Sequence, residues 1–349
     1  MKAIWLAPLA LSLLAQPSWA QWTPQASGTK ARLRGLSVVS SKVAWTSGSA
    51  GACLRTIDAG NTWVPRPVAD ASSLDFRDIH AVDADTAYLL SIGPGEKSRI
   101  YKTTDTGATW TLQFTNPDPK GFLDAIAFWN PDQGLALGDP VNGRFTILAT
   151  DDAGSHWTPI PGASMPPTLP GEGAFAASGT CLIVQPDGRA WFATGGAKVS
   201  RVFRSTDHGK SWTAHETPVR TGNPSSGIFS LAFHDATHGI AVGGNYISPD
   251  ESEANVALTT DGGLTWTLPK GTRPPGYHSA VASIPGAKPR TFLAVGPNGT
   301  DISINAGDDW KPLTHPGFDA VSFAAPNVGW AVGECGRIAR FHAKIPEGR

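Results

Sequence analysis

One eight-residue phrase recurs along this chain and limits what it can fold into. It reads TIDAGNTW up to Trp63, TTDTGATW up to Trp110, TDDAGSHW up to Trp157, STDHGKSW up to Trp212 and TTDGGLTW up to Trp266, with a worn copy, SINAGDDW, ending at Trp310. The shared frame is Ser/Thr-x-Asp-x-Gly-x-x-Trp, and Asn305 replaces the aspartate in the last copy. From Asp58 the anchor falls next at 105, 152, 207, 261 and 305, steps of 47, 47, 55, 54 and 44 residues. A period of this length indicates a solenoid, a propeller or an array, because one such unit is too small to bury a core alone.

Within one period the hydrophobic pattern is that of short strands. SLDFRDIHAV alternates as a half-buried strand does, TAYLLSIG follows a tight turn, SRIYKTTD follows the loop PGEK, and the repeated phrase turns the chain into TWTLQF. Four short antiparallel strands make one propeller blade. Second strands recur seven times, as VAWTSG, TAYLLSIG, GLALGD, AWFATGG, GIAVGG, FLAVGP and GWAVGE, against six copies of the phrase. The missing outer strand is supplied by QWTPQA from Gln21, which matches HWTPIP and TWVPRP after the phrase. The expectation is therefore an all-β fold, a single seven-bladed β-propeller of four-stranded blades over residues 21–349. The N-terminal strand closes the ring by joining the C-terminal blade, residues 317–342, and removes both open edges.

The first 20 residues read as a secretory signal peptide. Lys2 precedes an apolar stretch from Ala3 to Ala15, and the small residues Ser18 and Ala20 stand before a cleavage point. An exported chain, periplasmic or extracellular, is expected, with no membrane span, since no later stretch is apolar for long enough. A net charge of -1 gives no general attraction to nucleic acid. Three cysteines cannot form a disulfide framework. Cys53 and Cys335 occupy equivalent places in the first and last repeats and either bridge or stay free, whereas Cys181 belongs to an apolar strand.

Inside the phrase, aspartate suits bonds to backbone N–H groups of its own turn, glycine a conformation that Cβ-bearing residues avoid, and tryptophan packing between sheets. All three roles are structural. The phrase resembles the Asp-box, or BNR repeat, of sialidases and other propellers. The whole pattern, with SLDFRDI, SIGPGEKSRIYKTTD, LPGEGAFAASGTC and NVALTTDGGLTW, resembles the photosystem II stability/assembly factor-like proteins of bacteria. That resemblance implies a seven-bladed ring and an assembly or stability role. The fold itself hosts hydrolases, binding proteins and assembly factors alike.

A site belongs on the face opposite the phrases, where inner strands begin and second strands turn into third. Counting back from the second strands aligns Arg34, Arg77, Asp124, Gly179, Phe229, Ser279 and Asp319, flanked by Asp78, Glu172, Tyr277 and His278. Three readings of these charges stand side by side. Arg and Asp of neighbouring blades pair and fix the blade order. Alternatively, Arg34, Arg77, Asp78, Asp124, Glu172, Tyr277, His278 and Asp319 hold a protein partner or polar ligand. Or a carboxyl pair, Asp124 with Glu172 or Asp319, hydrolyses or binds a glycan, as in a sialidase-like glycoside hydrolase. No aromatic-Arg-Ile-Pro run, Gly-x-Ser-x-Gly elbow or P-loop is present, and the histidines lack metal-ligand spacing. A monomeric, non-catalytic binding propeller with no cofactor and no metal is the reading carried forward, with the carbohydrate-active enzyme as its alternative.

Overall fold

The computed structural model describes residues 20–314 and 316–343. The expected leader, residues 1–20, lies outside the described residues except for Ala20. Seven antiparallel sheets follow one another around a ring. In the second blade the strands are Asp75–Ala81, Ala87–Ile92, Arg99–Thr103 and Thr111–Thr115, inner to outer, as the alternation predicts. Outer strands are the weakest. Val64–Pro65 and Thr158–Pro159 are two residues long, since proline gives the ladder no N–H. In the fifth blade the outer strand shrinks to one bridge between Leu258 and Thr267, two residues before Pro269.

Ring closure is as expected. Ala20–Gln25 pairs antiparallel with Ile338–Ala343, Trp22 lying opposite Phe341, in the sheet that also holds Ala320–Ala325 and Val328–Val332. Trp22 packs on Phe318 and Phe341 at 5.1 Å each. The Gln25 amide joins the last blade to the first. Its oxygen accepts from Trp63 Nε1 at 3.1 Å and Trp330 Nε1 at 2.9 Å, and its nitrogen donates to the Ala59 carbonyl at 3.0 Å.

The core is divided among the joints between blades. Each pair of neighbouring sheets encloses its own apolar cluster: Trp45, Phe76 and Leu89 between the first and second, Phe192, Phe203 and Trp212 with Leu135 between the third and fourth, and so on around the ring. An eighth, smaller cluster of Ala177, Phe229 and Tyr277, with Phe175 against it, sits away from the joints.

The repeated phrases are self-contained turns. In the first, Asp58 Oδ1 accepts from the Thr62 N–H at 2.9 Å and from Thr56 Oγ1 at 2.8 Å, while Thr62 Oγ1 donates to Oδ2 at 2.6 Å. These bonds hold the Asp58 carboxyl below the usual carboxylate range, the Thr62 hydroxyl contributing most. The sixth copy is a role exchange rather than a decayed one. Asn305 Oδ1 accepts from the Asp309 N–H, and its Nδ2 donates to Asp309 Oδ2, both at 2.9 Å, so donor and carboxylate have traded places.

Each turn also serves its neighbour. The residue before the glycine adopts the left-handed conformation, φ 57–68° at Ala59, Thr106, Ala153, His208 and Ala306, and in several copies its carbonyl faces the preceding blade. Tyr88 Oη and Lys102 Nζ both donate to Ala153 O at 2.8 Å. Trp191 Nε1 and Arg204 Nε both donate to Gly262 O at 2.9 Å. The aromatic and the cation sit opposite one another on paired strands, and this pairing recurs as Trp45–Arg55 and Trp330–Arg340, with cation–π distances of 5.2 Å.

The bridge between Cys53 and Cys335 is not formed. Both thiols are free, Cys53 buried and Cys335 exposed at φ 54° on a turn that carries it outward.

Candidate functional site

The face opposite the repeated turns is not repeated from blade to blade. Its distinguishing element is the stretch from Gly173 to Cys181, which precedes the inner strand Leu182–Gln185 of the fourth blade. Ala174 N–H donates to Asp139 Oδ1 of the third blade at 2.9 Å. The carbonyls of Ala176 and Ala177 accept from Arg77 Nη1 of the second blade at 2.9 Å and Arg34 Nη1 of the first at 3.4 Å. Ser178 Oγ donates to the Ser279 carbonyl of the sixth blade at 3.0 Å, and Phe175 stacks on Phe229 of the fifth at 3.9 Å. A segment that reaches five other blades must lie across the axis, so it floors the mouth of the channel. At Gly179, φ 79°, a Cβ would stand 2.1 Å from Asp78 Oδ1, which reserves the position for glycine.

Around this floor the structure gathers Arg34, Arg77, Tyr277 and Asp319. Tyr277 is buried, its ring edge-on to Phe229 at 4.8 Å, and its phenol is pushed up by burial, against the nearby charge of Arg34. Asp319 carries a bidentate pair with Arg32: Nη2 at 2.7 Å and Nε at 2.9 Å. That pair joins the first blade to the seventh, as the blade-ordering reading expects, and Glu334 adds a contact to Arg32 at 3.1 Å. Arg77 pairs with Asp75 of its own strand at 2.9 Å. Among the described residues Arg34 has no carboxylate within ion-pair reach. It is half-buried, and desolvation followed by the charge of Arg77 lowers its pKa.

Two aspartates lie behind the arginines. Asp78 is buried; its oxygens accept from the N–H groups of Ile79 at 2.8 Å and Ile126 at 2.7 Å, and burial still pushes it up to about 7. Asp124 is buried with Oδ2 unpartnered, and burial, with the charge of Asp139 second, holds it well above the usual carboxylate range. Such a carboxyl stays protonated where ordinary carboxylates are ionised.

Glu172 and His278 are buried with their polar atoms engaged, which corrects their expected place in a contact surface. The Glu172 side chain is 0% exposed and forks onto Arg201, Oε1 to Nε at 2.9 Å and Oε2 to Nη2, with Thr194 Oγ1 at 2.7 Å and the Leu169 N–H at 2.8 Å completing its shell. His278 Nε2 meets Asp301 Oδ2 at 2.8 Å and Nδ1 meets the Gly276 carbonyl at 3.2 Å, so both ring nitrogens are taken. Alignment by strand position missed Arg32, Arg201 and the carbonyls of Ala176 and Ala177. Each meets its partner from another strand or blade, at separations that no spacing rule encodes. Among the described residues no group of three or more His, Cys, Asp or Glu side chains is placed to hold a metal ion, and no helix is long and apolar enough to cross a membrane.

No family model matches the chain. A xyloglucanase of Paenibacillus sp. is 28% identical over 264 aligned residues, 64% of this chain and 24% of that enzyme, so the chain spans about a quarter of its relative's length. Among solved structures, YCF48 bound to D1 peptide superposes with a TM-score of 0.63 at 17% identity, covering 94% of this chain and 98% of YCF48. The GH74 xyloglucanase of Xanthomonas campestris superposes at 0.61 and 19% identity, covering 92% of this chain and 53% of the enzyme. By its sheets and these neighbours, the chain is a seven-bladed β-propeller of the shape shared by YCF48 and the GH74 xyloglucanase.

Proposed function

We propose that this protein is an exported, non-catalytic propeller that binds a protein segment through the face opposite its repeated turns. The observation that carries the reading is Arg34. A guanidinium drawn half out of water, beside a second arginine and with no carboxylate in ion-pair reach among the described residues, is costly in the free protein. A carboxylate arriving from a partner would relieve that cost and form the forked pair that arginine favours. Arg77 adds positive charge, and Phe175, Phe229 and Tyr277 supply an apolar floor beside it. The structural neighbour solved with a peptide supports a peptide-binding role for a ring of this shape.

Affinity capture from envelope extract tests the reading, with residues 21–349 as bait beside an Arg34→Ala/Arg77→Ala variant of equal melting temperature. A protein held by the wild type and lost by the variant is the expected result. Equal capture by both baits moves the site off this face, and capture by neither removes the binding reading.

A second reading, glycoside hydrolysis, is favoured by the likeness to a xyloglucanase and by Asp124, whose raised pKa suits a general acid. Glu172 and Asp319 are consumed by Arg201 and Arg32, so Asp139 is the carboxyl left to partner it. Release of reducing ends from xyloglucan, abolished by Asp124→Asn, would establish this reading over the first.

A further inference from the structure

Most exposed apolar side chains of this molecule stand singly, as on any protein surface. Tyr246 and Ile247 do not. They are adjacent, 51% and 70% exposed, at the tip of the turn leaving the strand Gly239–Asn245. That turn is braced. Asn245 Oδ1 accepts from the Ile247 N–H at 3.1 Å and from Ser225 Oγ at 2.8 Å, the Asn245 carbonyl accepts from the Ser248 N–H at 3.2 Å, and the Tyr246 N–H donates to the Ser225 carbonyl at 3.2 Å. A braced turn that lifts two apolar side chains into water keeps them exposed when nothing is bound.

The tip continues the mouth described above. Tyr246 meets Phe229 edge-on at 6.1 Å, Phe229 meets Tyr277 at 4.8 Å, and Tyr277 lies in the field of Arg34 and Arg77. On its far side the same loop carries Asp250, Glu251 and Glu253. Arg220 faces the two glutamates at 3.2 and 3.5 Å, and Asp250 accepts from Asn298 Nδ2 at 2.9 Å. Three carboxylates against one guanidinium leave that flank negative. The face thus runs from cationic through aromatic and apolar to anionic.

We propose that Tyr246 and Ile247 are the apolar anchor for an extended partner segment carrying a carboxylate for Arg34, an apolar side chain for the tip, and a basic residue for the Asp250–Glu253 loop, in that order. The inference rests on the binding reading above and adds the charge order of its ligand. The apolar tip sets affinity, and the charges at either end fix the direction in which the segment lies.

Selection of a displayed random nonapeptide library on residues 21–349 tests it, followed by titration of the most enriched peptide, fluorescein-labelled. Enriched peptides should carry an acid, an apolar residue and a base in order. Tyr246→Ser/Ile247→Ser should erase the apolar preference, keep the acidic one and weaken the labelled peptide about tenfold. Both side chains are exposed, so the variant leaves the core intact. Peptides enriched for an acid alone, or the same peptides selected by the variant, would overturn this inference and leave the binding reading standing. A wild-type selection that enriches nothing would remove both.

Discussion

The two faces of this ring are built on opposite plans. On one, a single turn is made six times over, each copy closing its hydrogen bonds within eight residues and three of them lending a carbonyl to the preceding blade. On the other, the blades differ from one another, and contacts run across the axis: Arg77 to Ala176, Arg34 to Ala177, Ser178 to Ser279. Repetition marks what every blade needs, which is a way to end and a way to grip its neighbour. Departure from it marks what the molecule needs only once. The contrast also separates two uses of charge, since carboxylates in the turns are stabilised in place, whereas Asp78 and Asp124 are held against their usual ionisation.

The comparison breaks most severely at Arg201, the guanidinium that balances Glu172. Arg201→Met should destabilise the fold by about 3–5 kcal/mol in urea unfolding, because it strands a buried carboxylate. The pH dependence comes next. Asp78 has a folded pKa near 7 against about 4 unfolded, so folding takes up a proton between these values. Its contribution is present in full below pH 4 and lost as pH rises through 7. Stability should therefore fall by about 3 kcal/mol from pH 5 to pH 8, read as a declining Tm. On the repeated face, Asp207→Ala should cost about 1 kcal/mol, and Asp207→Asn less, since an amide oxygen can still accept from the Ser211 N–H as Asn305 accepts from that of Asp309. The smallest stability effect is expected at Arg34: Arg34→Ala should change unfolding by under about 0.5 kcal/mol while abolishing capture of the partner. A large loss there would return Arg34 to the scaffold and erase the distinction between the faces.

Legibility in the sequence followed the same divide. The six phrases, the alternation of SLDFRDIHAV and the stray QWTPQA sufficed for seven blades and for the closing strand, because each is a local pattern with one geometric meaning. Strand counting brought Arg34, Arg77, Tyr277 and Asp319 to one mouth. It left open which arginine meets Asp319, because that choice is made by the neighbouring blade, and the partner is Arg32. It also put Glu172 and His278 in the open, since their partners Arg201 and Asp301 lie 29 and 23 residues further on. The segment Ala174–Ser178 has no periodicity, and its course across the axis follows from arginines contributed by other blades.

Closure by Ala20–Gln25 against Ile338–Ala343 has a consequence for the order of events during folding. Six sheets are made from contiguous stretches of chain and can assemble as those stretches become available. The seventh joins the first and last described residues, so it waits for both, and bringing ends some 320 residues apart together costs about 5 kcal/mol in chain entropy if nothing has yet formed between them. With six blades already curved into an arc, most of that cost has been met. Trp22 and the Gln25 amide then act as a latch, clicking shut last and opening first. A ring of this kind should resist unfolding mainly through the rate at which that one joint lets go.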